Sequence, residues 1–179
     1  KNSLGTTCKN IGDLNMNKNQ MDEAEKFYNR GLENFREAKS DGGLIVTLVQ
    51  LSDIFRQRGD LNKALENDLD AFELSKKSSY ERGRFYCLES LGKTYQAKKE
   101  FLISKIHFEE AVAIAQRAKM AEKLMDNYKS LADVCVALHD FEKAYDYQKL
   151  YAAYADSVRS EERTNQLAEM EVRFETDRK

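Results

Sequence analysis

Three cysteines, two histidines and a few close-set carboxylates are the residues of this chain whose types could do chemistry. Cys8, Cys87 and Cys135 could act as nucleophiles or ligands. They lie far apart with no Cys-x-x-Cys pair, and an odd count argues against a disulfide framework. His107 and His139 are the only histidines, too few to gather a zinc ligand set. Glu109-Glu110 and Glu161-Glu162 could couple as acid and base only if their side chains converged. On a helix, adjacent side chains diverge by about 100 degrees. The only adjacent glycines, Gly42-Gly43, have no third glycine near enough to cradle a phosphate, and neither Gly-x-Ser-x-Gly nor His-Glu-x-x-His occurs. The sequence therefore predicts no catalytic residue, no metal site and no cofactor.

The elements that would have to position such residues are set by a repeat. Ile11-Gly12, Leu51-Ser52, Leu91-Gly92 and Leu131-Ala132 recur at one constant spacing, and Ala24, Ala64, Ser104 and Ala144 follow them, each at the same offset. Between the two marks a polar turn (Asn19-Gln20, Gly59-Asp60, Lys99-Glu100, His139-Asp140) precedes an apolar residue, Met21, Leu61, Phe101 or Phe141. Each unit thus reads helix, turn, helix. Leu44, Leu48, Leu51 and Phe55, or Leu88, Leu91 and Tyr95, follow helical spacing, and no stretch alternates with period two for long. The small residue beside a large one lets two helix backbones approach closely, and the Ala or Ser on the second helix does the same. All twelve marks are predicted to pack within the repeats.

On this register Cys8 and Cys135 replace packing residues and should be buried, unreactive thiols. Asp41-Gly42-Gly43 is the joint between the first two units. Arg58-Gly59-Asp60 spells a cell-adhesion tripeptide, but it falls on the turn inside the second unit, where glycine accepts a left-handed backbone and aspartate can cap the next helix.

The pattern resembles the tetratricopeptide repeat. Leu88, Leu91, Gly92, Tyr95, Ser104, Phe108 and Ala111 fall in order on its positions, as do Cys8, Ile11, Gly12, Ala24, Tyr28 and Gly31. Asp68 and Gln148 depart from it at the second-helix aromatic position, as does Asn15 on the first helix. The unit is longer than the usual ~34 residues, and the closing proline is absent. The resemblance covers residues 4 to about 158. It implies an all-α fold, a right-handed α-solenoid of four hairpins (about 1–40, 41–80, 81–120 and 121–160), with 161–179 a capping helix or the start of a coiled coil.

Composition agrees. With hydrophobic residues at 41%, charged residues at 34% and a net charge of −2, the chain can bury a seam between hairpins but offers no basic face for nucleic acid. No apolar run approaches the roughly 20 residues that span a bilayer, so no direct membrane contact is expected. The start without methionine and the end inside a helical pattern suggest a fragment of a longer protein.

The resemblance also implies a concave groove, lined by first helices, that holds a protein or peptide partner. By its register the lining residues are Lys9, Asp13, Gln50, Asp53, Arg56, Gln57, Glu89, Lys93, Gln96, Lys129 and Asp133, a set of mixed sign. Tetratricopeptide repeats that clamp the acidic tail of chaperones need Lys and Asn on the first helix, Asn on the second unit, and Lys and Arg on the third. Lys9, Asp13, Gln50, Tyr86 and Ser90 stand there, and only the first agrees, so chaperone tails should not bind.

At the carboxyl end the period predicts a break near Ser157 to Ser160 and then a further helix. In it Leu167, Met170 and Phe174 form a narrow stripe, with Glu169–Arg173 and Glu175–Lys179 as favourable pairs. Through this helix the chain could dimerise. The stretch from Asp156 to Glu175 also looks like the end of the repeat regions in bacterial sensor kinases and related transcription regulators. That resemblance implies a non-enzymatic interaction or sensor region of a signalling protein, periplasmic and membrane-anchored, whereas the free cysteines favour the cytoplasm. A ligand-gated switch for a small peptide or metabolite, and a free-standing scaffold adaptor, are the alternatives.

Overall fold

The computed structural model describes residues 1–78 and 80–177, and beyond residue 160 the one side chain described is that of Thr164. Among the described residues every regular element is an α-helix: α1 (Asn2–Asn17), α2 (Met21–Glu37), α3 (Asp41–Gln57), α4 (Leu61–Lys77), α5 (Glu81–Ala97), α6 (Phe101–Arg117), α7 (Ala121–Ala137) and α8 (Phe141–Asp177). From α2 onward the helix starts are evenly spaced, two to each sequence period.

The joints explain this regularity. Asn19, Lys39, Gly59, Lys99, Lys119 and His139 have positive φ of 58°, 51°, 80°, 63°, 53° and 60°. The next N–H then reaches back across the turn, as from Gln20 to the Asn15 carbonyl (2.8 Å) or Asp140 to that of Cys135 (2.9 Å), which closes the helix end. Asp60 accepts from the Lys63 N–H at 3.2 Å and caps α4. Arg58 crosses to α2, donating to Asp22 at 2.6 Å and to Glu25. All three residues of the adhesion tripeptide thus serve the turn and its neighbours.

Two compact units result, Lys1–Ile114 and Ala115–Lys179. In the first, α3 contacts both α1 and α5, α2 packs against α1 and α3, and α4 against α3 and α5. Tyr28, Leu32, Ile45, Leu51, Ile54 and Cys87 share its core. The close approaches are specific: a Cβ on Gly12 would stand 2.4 Å from the Tyr28 ring, and one on Gly92 2.7 Å from that of Phe108. Ile11 is half-buried; Gly12, Ala24, Leu51, Ser52, Ala64, Leu91, Gly92 and Ser104 are buried.

In the second unit α7 packs against α8, burying Leu124, Leu131, Ala132, Val134 and Cys135 with Ala144 and Ala155. Tyr128 stacks on Tyr147 at 6.1 Å, lies 5.6 Å from the Tyr154 ring, and accepts a hydrogen bond from Gln116 at 2.9 Å. Tyr145 points to solvent.

The expected break near Ser157 to Ser160 is absent, and α8 continues through it to Asp177. Nothing local imposes a turn there: residues 155–160 contain no glycine, proline or asparagine. Residues 161–177 are therefore the distal part of α8 rather than a separate helix. The stripe Leu167, Met170 and Phe174 and the pairs Glu169–Arg173 and Glu175–Lys179 lie outside the described side chains.

Candidate partner-binding face

The sequence-predicted lining residues on α1, α3 and α5 belong to three first helices of one unit. There they form short ionic clusters. On α1, Lys9 donates to Asp13 at 2.6 Å, and the Tyr28 hydroxyl donates to the other oxygen of the same carboxylate at 2.8 Å. Tyr28 is buried, and that burial together with the Asp13 and Asp53 carboxylates raises its phenol far above the usual range. On α3, Asp53 accepts from Arg56 at 2.6 Å and from Gln57 at 2.8 Å. On α5, Lys93 lies 3.2 Å from Glu89, whose side chain is only 8% exposed, so this carboxylate faces inward more than the register implies. Gln50 and Gln96 are half-exposed. Lys129 and Asp133 are exposed on α7 in the second unit.

Beneath Arg56 lies a network that the predicted lining residues do not include. Arg56 donates to the Thr94 hydroxyl at 3.0 Å, linking α3 to α5, and Thr94 donates in turn to Asp68 on α4 at 2.6 Å. Asp68 is fully buried. Burial raises its carboxyl above the ordinary range, while the Ser90, Thr94 and Ser52 hydroxyls and the Arg56 charge pull it partly back. Asp68 stands where Tyr28 and Phe108 stand in the units before and after, opposite Ser52 instead of glycine. That substitution was visible in the sequence as a departure from the repeat. Its link through Thr94 to Arg56, which crosses from one repeat to the next, was not.

The other residues considered for chemistry do not assemble. Cys8, Cys87 and Cys135 are buried, and desolvation pushes the Cys87 thiol up to about 12, so it stays protonated and unreactive at neutral pH. His107 stacks on Tyr95 at 5.5 Å and meets Phe72 edge-on at 6.4 Å. His139 holds the left-handed turn before α8. Among the described residues no three His, Cys, Asp or Glu side chains converge as metal ligands, and no helix is long and apolar enough to cross a membrane.

Residues 4–77 match the tetratricopeptide repeat family. No curated protein matches the sequence. Among solved structures, BtubC from P. vanneervenii is similar, at 21% identity over 87% of this chain and 65% of that one, with a TM-score of 0.77. Aspartyl phosphate phosphatase F from Bacillus subtilis is similar at 13% identity over 86% of this chain and 40% of that one, with a TM-score of 0.79. The putative kinesin light chain TPR-like repeats of Podosopora anserina align at 14% identity over 86% and 76%, with a TM-score of 0.63. The chain spans 65% and 40% of the length of the first two, and these likenesses speak to fold alone. Residues 4–77 thus carry the tetratricopeptide-repeat signature by sequence, and over most of its length the chain shares the fold of such helical repeats.

Proposed function

We propose that the chain is a non-enzymatic protein- or peptide-binding module that uses the first-helix face of α1, α3 and α5. The observation that carries this reading is the arrangement of charge there. Lys9 with Asp13, Arg56 with Asp53, and Lys93 with Glu89 form a row of neutral pairs on neighbouring helices. Such a surface has little net field, so it suits a partner peptide of mixed charge held by local hydrogen bonds better than a polyanion. Capture of partners from the native lysate tests it. The variants Lys9→Glu and Lys93→Glu, helical by circular dichroism, should each lose the partners that the unaltered chain retains. Equal capture by all three chains sinks the proposal.

The likeness to repeat regions of bacterial signalling proteins supports placing this module in a larger sensor or transcription regulator, with α8 leading toward an output domain or a second copy. A second reading, a ligand-gated switch, is favoured by Arg56, which bridges Asp53 on its own helix and Thr94 on the next repeat. A ligand anion that captured Arg56 would loosen one repeat from its neighbour. Small-angle scattering separates the readings: dimensions that change on ligand binding indicate the switch, and constant dimensions with every bound partner indicate an adaptor.

A further inference from the structure

The charges of the first-helix face are tied to one another, whereas on the opposite side of α3 only Glu73 has a direct ionic partner, Lys76. Leu44 precedes Asp53 by nine positions, and Leu48 precedes Gln57 by nine, which is a half-turn beyond two full turns of helix. The two leucines therefore point away from the face described above. They form the floor of a cleft of about 340 Å³, lined also by Arg36 on α2 and by Asp70, Glu73, Leu74 and Lys77 on α4.

The floor is apolar: Leu48 is buried, and Leu44 and Leu74 are half-buried. The rim is charged and partly uncommitted. Glu73 accepts from Lys76 at 2.7 Å, and the same ammonium lies 4.5 Å from the centre of the Phe72 ring. The Arg36 and Asp70 side chains make no hydrogen bond or ion pair among the described residues, and Lys77 acts on Glu73 through its charge without a direct contact. With Lys76 at the edge, three cations (Arg36, Lys76 and Lys77) face two carboxylates (Asp70 and Glu73), an excess of one positive charge above three leucines. An aliphatic group seated on that floor removes apolar area from water, while a carboxylate beside it finds Arg36 and Lys77 at the edge. The volume lies at the small end for ligand sites, enough for one or two side chains rather than a whole helix.

We propose that this cleft is a second docking site, taking a partner peptide that presents an aliphatic side chain next to a carboxylate. It is separate from the first-helix face and does not depend on it.

The test uses the full chain with 13C-labelled leucine methyls. The probe is an acetylated, amidated hexapeptide with an Asp-Leu-Leu-Asp core, and the control is the same peptide with lysine for both aspartates. Titration of the acidic probe should shift the Leu44, Leu48 and Leu74 methyls and saturate below millimolar concentration. The double variant Arg36→Glu/Lys77→Glu should weaken binding at least about tenfold, whereas Glu122→Lys, on the exposed surface of α7, should leave it unchanged. Silence at the three leucines up to millimolar probe overturns the proposal, as do equal binding of the lysine peptide or full binding by the double variant. Shifts confined to Leu4, Leu14, Leu51, Leu88 and Leu91, the leucines of α1, α3 and α5 outside the cleft, overturn it while leaving the first-helix face in place.

Discussion

Thr94 on α5 donates its hydroxyl to Asp68 on α4 at 2.6 Å inside the repeat core, at the position that Tyr28 and Phe108 fill in the flanking units. A carboxylate has replaced an aromatic ring, and hydroxyls from two repeats surround it.

Asp68→Asn keeps the shape and removes the titration. The folded-state carboxyl is raised above its unfolded value, so the folded chain binds a proton more readily than the unfolded one. That contribution to stability is full below the unfolded range near pH 4 and is lost as pH rises through the folded value. At pH 7 the ionised group costs stability, and Asp68→Asn should raise it by about 1 kcal/mol, with the gain shrinking toward pH 4. Urea unfolding at the two pH values measures this. Lower stability of the variant at pH 7 would show that the Arg56 charge outweighs desolvation.

Gly92→Ala and Gly42→Ala form a matched pair. The first places a methyl 2.7 Å from the Phe108 ring, the second 3.8 Å from that of Tyr80. Gly92→Ala should lower stability by about 2 kcal/mol through overpacking. Gly42→Ala should be neutral or raise it by up to about 1 kcal/mol, because alanine restricts the unfolded chain and favours helix. Thermal melts of both distinguish close approach from simple helix propensity.

Lys99→Gly should stabilise, since Lys99 holds φ at 63°. Glycine relieves the clash of Cβ with the backbone in that conformation, for a gain of roughly 0.5–1 kcal/mol. Gly59→Ala, at φ 80° with open space around it, should lose about 1 kcal/mol. Chemical denaturation that ranks the two variants in the reverse order would contradict the turn geometry.

His107 gives a pH dependence of opposite sense to that of Asp68. Its burial against Tyr95 lowers the folded imidazole's pKa below the unfolded value of about 6.5, with Glu110 opposing weakly. The neutral ring's contribution is present above pH 6.5 and is lost as pH falls through the unfolded value toward the folded one. His107→Phe should flatten the stability profile between pH 7 and pH 5; an unchanged slope would assign that dependence to other groups.

The register Ile11-Gly12 with Tyr28, and Leu91-Gly92 with Phe108, was legible because a close helix contact demands a small residue opposite a ring at a fixed spacing. The turns were legible too, although only Gly59 among the described left-handed residues is a glycine: their position came from the period, not from local propensity. The same extrapolation failed at Ser157 to Ser160, since a period records where hairpins pack and residues 155–160 carry no signal of their own. On the candidate face, sequence located polar positions but not their partners. That Asp13 is held by Tyr28 from α2, or that Thr94 joins Arg56 to Asp68, depends on helices that meet only once the chain has folded back on itself.

Because the helix starts from α2 onward are evenly spaced and the described left-handed joints share one backbone geometry, the chain behaves like a ruler with equal divisions. A gene duplication or deletion of one whole period restores the helical phase wherever its ends fall. Such arrays can lengthen or shorten by whole hairpins through imprecise recombination, and the number of units is free to drift while the shape of each is held.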